Sequence, residues 1–344
     1  MVDCSQLQIS LKKLFKLRNQ FAEAYSRVDE SLGRHNPENM QAIGSSETKM
    51  REIKEAMKEL ESLLHISLKQ AQEIMDTEEE QNFMGPEQVK KAFGIELKPE
   101  QIPQIPFSQE ELERARELGQ FLVLRVSQVP DKKDKSKQEP LTMKMINEIL
   151  SPVFIKKNQR KVLFNTDWYK NEDFYTKETP QAGWALISKG VILHSHNELG
   201  IDEKRNYVIQ TEKLIEYLKN EVFQNMDIPE IYEQAIKEFK TVRKQEKLDE
   251  LITQDWQKAA QILENLQITQ LLRQSPVEIL YDLMIYFQNT GQRLLKNNYT
   301  WSSRRSSVGR LVNVGDFGAD GLSVRRYRPG NFFVNLGVCL SRRS

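Results

Sequence analysis

Arginine and aromatic side chains alternate closely in one part of this sequence: Phe317, Arg325, Arg326, Tyr327, Arg328, Phe332 and Phe333. A guanidinium is a planar fork of donors that fits carboxylates and phosphates and also stacks on rings. Arg and aromatic side chains dominate binding hot spots, because they offer large contact area at modest entropy loss. The chemistry they promise is recognition. His194-x-His196 is the one histidine pair; on a strand, positions i and i+2 face the same way and could ligate a metal, with Glu198 as a third ligand. The chain has only four histidines and no cysteine near them, so the pair reads as part of a polar loop, and no metal or cofactor is assigned. Cys4 and Cys339 stand at opposite ends; two thiols supply neither a disulfide framework nor a four-cysteine zinc site, and they fit a reducing compartment. Asp316 and Asp320 alone do not make a calcium cluster. With no G-x-S-x-G elbow, P-loop or G-x-G-x-x-G, no catalytic residue is named and the chain is not expected to be an enzyme.

Net charge is +1, unevenly spread. Residues 301–344 hold eight Arg and two Asp, or +6, which leaves −5 for residues 1–300. Residues 302–344 contain no Lys, Glu, Gln, Met or Trp. Depletion of Lys and Glu is usual in strands, but that does not account for eight Arg with no Lys.

The elements that must position these residues follow from periodicity and punctuation. Leu11, Leu14, Phe21, Tyr25, Val28 and Leu32, then Met50, Ile53, Met57, Leu60 and Leu64, follow helical spacing about a turn at 33–37, which predicts a helical hairpin within residues 1–94 that could also drive homo-oligomerisation. A short helix from Pro86 to Phe93 closes on Gly94. Residues 95–107, with three prolines, read as a linker. Ser108 and Glu111 form a capping box for a helix stopping at Gly119. Strands are expected over 120–128, 161–165 and 183–189, with a charged loop over 131–137 and a helix over 142–150. Residues 203–298 are mainly helical: one helix begins at Pro229, another follows Thr253, and Ser275-Pro276-Val277-Glu278 combines N-cap, N1 proline and N3 glutamate in the strongest capping signal of the chain. Beyond Tyr299, the apolar runs 311–314, 322–324 and 332–340, separated by Gly, predict short strands and turns.

The run Tyr299-Thr300-Trp301-Ser302-Ser303-Arg304-Arg305-Ser306-Ser307, then Val312-Asn313-Val314-Gly315-Asp316-Phe317, Asp320-Gly321-Leu322-Ser323-Val324, Pro329-Gly330 and Leu336-Gly337-Val338 through Ser341-Arg342, resembles the variable region of target proteins of diversity-generating retroelements. The resemblance extends more weakly over residues 110–344, through 183–189, the helix from Ser275 and residues 291–295. It implies a C-type-lectin-like domain of the formylglycine-generating-enzyme type, in which adenine-directed mutagenesis rewrites chosen codons while the scaffold persists. Asn codons randomised at both adenines cannot yield Lys, Glu, Gln, Met or Trp, the five types missing from 302–344. The diversified, ligand-binding positions implied are Phe317, Gly318, Asp320, Ser323, Arg325, Arg326, Arg328, Asn331, Phe332, Phe333, Val334 and Asn335, while Gly315, Gly321, Leu322, Pro329, Gly330, Leu336 and Gly337 belong to the scaffold. The cysteine pair of formylglycine-generating enzymes is missing, so that activity does not carry over.

The fold expected is therefore α+β: a helical hairpin (1–94), a linker (95–107) and a C-type-lectin-like domain (108–344) with a helical insertion (203–298) and a variable region (302–344). The expected function is binding of a variable macromolecular ligand, most readily a protein. A nucleic-acid binder using the basic aromatic tail is disfavoured by the acidic remainder and by the lack of any standard module. A metal-dependent enzyme on the same fold would need His194 and His196. No run of 18 apolar residues is present, so no membrane helix is expected, and the N-terminal residues lack the apolar core of a secretory signal; a cytoplasmic location is expected.

Overall fold

The computed structural model describes residues 51, 66–131, 134, 137–194 and 205–343. It divides into two compact units, residues 1–67 with 104–108 and residues 68–103 with 109–344. The predicted N-terminal hairpin lies outside the described residues; within the first unit, Ile105 and Phe107 are buried.

The second unit is α+β. In chain order it contains α1 (Leu68–Met75), β1 (Phe83–Met84), α2 (Pro86–Phe93), α3 (Gln109–Glu117), β2 (Gln120–Arg125), β3 (Gln128–Pro130), β4 (Gln138–Pro140), α4 (Met143–Lys156), α5 (Asp173–Thr176), β5 (Gly183–Ser188) and β6 (Leu193–His194). Five helices follow: α6 (Tyr207–Tyr217, running into a π-helical turn at Leu218–Val222), α7 (Glu230–Gln245), α8 (Leu248–Gln254), α9 (Trp256–Asn265) and α10 (Gln267–Leu272). Then come α11 (Pro276–Thr290), β7 (Tyr299–Arg305), β8 (Leu311–Gly318), β9 (Gly321–Tyr327), β10 (Leu336–Val338) and β11 (Ser341–Arg342).

One sheet has the order β1-β2-β5-β11, with β1 parallel to β2 and the other pairs antiparallel, in register from Gln120↔Ser188 to Arg125↔Gly183. Every residue of β2 is buried, the pattern of a strand covered on both faces. The second sheet has the order β6-β10-β7-β8-β9, and β3 and β4 form a separate hairpin around the charged loop. Helix α11 is buried from Pro276 to Phe287, its many apolar side chains facing all round and its two acids, Glu278 and Asp282, paired with Arg125. Its start is fixed by the capping box read from the sequence, with Ser275 N–H donating to Glu278 Oε2 at 2.7 Å, and its end by Gly291 in the left-handed conformation. Tyr281 Oη donates to Leu124 O at 2.8 Å, and Arg125 is clamped by Asp282 (Nε to Oδ1, 3.0 Å) and Glu278 (Nη1 to Oε1, 3.3 Å). This buried cluster ties α11 to β2.

The structure redraws several expected boundaries. Residues 68–103 belong to the second unit and are neither a separate domain nor a loose linker: Phe93 stacks on Tyr281 with ring centroids 4.7 Å apart, Asn289 Nδ2 donates to Gln88 O at 3.1 Å, and Trp184 Nε1 donates to Pro103 O at 2.8 Å. The strand expected over 120–128 breaks at 126–127, where Ser127 O accepts from Leu141 N–H and the chain turns into β3. Residues 161–165 form no strand; Leu163 makes one parallel bridge to Leu322, on the outer edge of β9. Helix α4 extends to Lys156, past Pro152. Asp255, whose side chain accepts from Lys258 N–H, caps α9 in place of Thr253. The helical insertion ends with α10, because α11 packs on α2, α4 and β8 as part of the body.

Helices α6–α10 cover one face of the second sheet. Tyr207, Leu263, Leu266 and Leu272 pack with Tyr299, Trp301, Leu311, Leu336 and Val338. Burying one such side chain stabilises by roughly 1.5–3 kcal/mol, so the helical layer and the tail strands hold each other in place. Two glycines are dictated by close approach. A Cβ on Gly315 would lie 2.0 Å from Asn298 O, and one on Gly321, at φ +107°, would lie 2.8 Å from Lys161 O.

Candidate ligand-binding surface

Side chains alternate across a strand, so the register of β7, β8 and β9 sorts the tail residues onto two faces. The pairs Tyr299↔Gly315↔Ser323 and Trp301↔Asn313↔Arg325, with Tyr327 two residues on, share the face that the helical layer covers. Thr300, Val314, Val324 and Arg326 share the other.

The twelve positions named from the sequence separate accordingly. Phe317 is not available to a ligand: it is fully buried, meets Phe287 edge to face with centroids 5.2 Å apart, and lies under the Arg293 guanidinium at 4.6 Å. The bulge between Gly315 and Gly318, where Asp316 takes φ +51°, turns this ring inward. Ser323 is also buried, opposite Gly315. Gly318 and Asp320 lie at the β8–β9 hairpin end, where Arg293 donates to Gly318 O and Arg160 pairs with Asp320. That end lies about 20 Å along β9 from Tyr327, at about 3.3 Å per residue. The remaining eight gather at the far end of β9 and in the following loop. Arg325, Arg328, Phe333, Val334 and Asn335 are exposed there, and Arg326, Asn331 and Phe332 are half-buried.

Hydrogen bonds hold the loop over residues 328–335. Asn331 Oδ1 accepts from Arg328 N–H at 2.9 Å, Pro329 O from Tyr207 N–H at 3.0 Å, and Asn335 O from Tyr299 N–H at 2.7 Å. Phe333 packs on Tyr327 at 4.7 Å, and Tyr327 meets buried Trp301 edge to face. Three neighbours outside the predicted set complete the surface. Trp256 lies under the Arg328 guanidinium at 5.1 Å, and Trp168 under Arg326 at 4.5 Å, while the Trp168 indole N–H donates to Val324 O. Tyr299 Oη donates to Asp316 Oδ2 at 3.0 Å; burial raises this phenol above its usual pKa, against hydrogen bonds from Arg325 and Ser323 that lower it. Trp168 and Trp256 were legible only as rare residues in polar segments, since their partners are more than 70 positions away in the chain.

The charge asymmetry has a structural cause beyond recognition. Five of the eight tail arginines pair with glutamates from elsewhere in the chain: Arg304 with Glu178 (3.0 Å), Arg305 with Glu264 (2.6 Å), Arg326 with Glu172 (3.8 Å), Arg342 with Glu111 (3.0 Å) and Arg343 with Glu278 (2.7 Å). Burial raises the Glu178 carboxyl despite Arg304. Burial also works to raise Glu278, but Arg125, Arg343 and backbone donors outweigh it and hold that carboxyl below its usual value. The excess of positive charge in the tail therefore largely answers negative charge in the body.

The Cys339 thiol is not placed for nucleophilic chemistry. Cys339 is buried, contacts Gly190 O at 3.3 Å, and burial pushes its thiol up to about 12. His194 ends β6, while His196 and Glu198 lie outside the described residues. Among the described residues no group of three or more His, Cys, Asp or Glu is placed to hold a metal, and no helix is long and apolar enough to cross a membrane. A cleft of about 770 Å³ lies among Lys98, Gln101, Pro103, Val126, Gln128 and Gly183, and contains none of the twelve positions. Compared with known proteins, the chain matches no family model, no curated protein and no solved structure.

Proposed function

We propose that this chain is a ligand-binding protein, not an enzyme, whose C-type-lectin-like body displays a retroelement-diversified surface to a macromolecular partner, a protein. One observation carries the reading: eight of the twelve positions implied by the resemblance gather on one end of the second sheet and its loop, above a buried scaffold of Trp301, Val312, Val314 and Val324. Apart from Asn331, whose side chain bonds the Arg328 N–H within the loop, these side chains can change without disturbing the buried residues beneath them. Phe317 and Ser323, being buried, leave the set of ligand contacts, and Trp168 and Trp256 join its surroundings. The supporting glycines stand where close backbone approach requires them.

Two measurements test this. DNA beside the gene should carry a near-copy of the segment encoding residues 302–344, differing only at adenines, next to a reverse transcriptase; uniform substitution across the segment in related strains would refute diversification. A display library randomised at Arg325, Arg328, Asn331, Phe333, Val334 and Asn335 should stay folded in most clones and yield binders to unrelated protein targets. General loss of folding would place these side chains in the scaffold instead.

A further inference from the structure

We propose that this surface, as it stands in this sequence, takes an acidic peptide segment: Arg325 and Arg328 hold its carboxylates, an apolar side chain rests on Phe333 and Val334, and Trp256 is the fixed ring that holds Arg328 in place. The proposal rests on the reading of this face as the ligand-binding surface and goes beyond it by naming the ligand chemistry.

The first argument is what the body leaves over. Five tail arginines are already neutralised by glutamates of the chain itself. Arg325 and Arg328 are exposed, and among the described residues neither makes an ion pair. The acid nearest in effect to Arg325 is Asp316, which engages Tyr299 Oη, and the same hydroxyl bonds Arg325. Arg328 lies over Trp256 with its backbone N–H held by Asn331. Both guanidiniums are thus anchored before any ligand arrives, which lowers the entropy lost on binding. A planar fork positioned in this way matches a carboxylate with two parallel hydrogen bonds.

The second argument is the apolar ground beside them. Phe333 and Val334 are 40% and 72% exposed, and Phe333 is fixed by Tyr327. An anchored aromatic ring next to two arginines is the composition of a binding hot spot. A polyanion with a continuous phosphate backbone fits less well. Arg326 is on the opposite face of β9, so the arginines form no continuous track, and exposed Asp316 and Asp255 flank them. A peptide can place carboxylates at two points and avoid those acids.

The test is fluorescence anisotropy with the full chain and a labelled peptide carrying one leucine within a run of glutamates, beside its glutamine counterpart and a single-stranded oligonucleotide. The glutamate peptide should bind about tenfold or more tightly than the glutamine peptide, and salt should weaken it. Arg325→Glu and Arg328→Glu should each lose about tenfold, while Arg160→Glu, at the distant hairpin end, should change nothing. Trp256→Leu should lose several-fold, and its effect should vanish when Arg328 is already alanine, which a merely structural role would not produce. Equal binding of the two peptides, tighter binding of the oligonucleotide, or an Arg160→Glu effect as large as that of Arg328→Glu would overturn the proposal. If library selection still yields binders to other targets, the display reading survives and the acidic ligand alone is wrong; if selection yields none, both fall.

Discussion

Phe317 and Phe333 are two phenylalanines of one tail, and replacing each by alanine should separate scaffold from display. Phe317 has no exposed surface and touches Phe287 and the Arg293 guanidinium, and through them the base of α11. Truncating it removes the ring's transfer energy and leaves a cavity that the bulged β8 backbone cannot close, at a cost of about 3–5 kcal/mol. At roughly 2–4 °C per kcal/mol for a body of this size, Phe317→Ala should lower the Tm by about 6–20 °C. Phe333 is 40% exposed, and its described ring contact is with Tyr327. Losing that contact costs about 0.5–1.5 kcal/mol, so Phe333→Ala should lower the Tm by no more than about 6 °C. Differential scanning calorimetry on the two variants decides the matter. A Phe333→Ala variant as unstable as Phe317→Ala would make the loop over 328–335 part of the core, and a Phe317→Ala variant of native stability would show that the bulge does not turn that ring inward.

Other consequences can be measured alongside. Glu278→Gln keeps the shape of the α11 cap but leaves Arg125 and Arg343 short of a buried partner, so chemical denaturation at neutral pH should show a loss of about 3 kcal/mol. Because the folded Glu278 carboxyl titrates below its usual value, its contribution is complete above the unfolded carboxylate pKa of about 4.3 and fades as pH falls through the lower folded value; the variant should show a shallower acid limb in that window. Gly315→Ala should cost more than about 3 kcal/mol or abolish folding, seen as lost cooperativity in thermal melts, since its Cβ would meet Asn298 O. The Cys339 thiol should resist iodoacetamide at pH 8 in the folded chain and react once unfolded, as mass spectrometry of its peptide would show; labelling of the native chain would contradict its burial.

What could be read in advance divides along physical lines. Local chemistry was legible: the Ser275 box, the Gly94 and Gly291 stops and the Gly183 strand all follow from contacts within a few residues. Non-local pairing was not. Nothing in Phe83-Met84 announces a strand, because two residues carry no period and their partner β2 begins 36 positions later. The inward turn of Phe317 depends on a bulge that shifts the alternation by one, which the pattern of apolar residues cannot display. The tail arginines looked like a recognition surface because their five glutamate partners are scattered from Glu111 to Glu278. Among the described residues Arg310, Arg325 and Arg328 have no such partner, and of these three Arg325 and Arg328 are exposed.

The strands β10 and β11, only a few residues apart, enter different sheets: β10 joins β6 and β7, and β11 completes the edge of β5. This stretch follows every other described strand in the chain, so neither sheet is complete without it. Residues 299–342 thus close both sheets, with Arg342 and Arg343 reaching back to Glu111 and Glu278 across more than 60 positions. A nascent chain interrupted within this stretch would keep its helices but leave two strand edges bare, open to proteolysis and strand-to-strand aggregation.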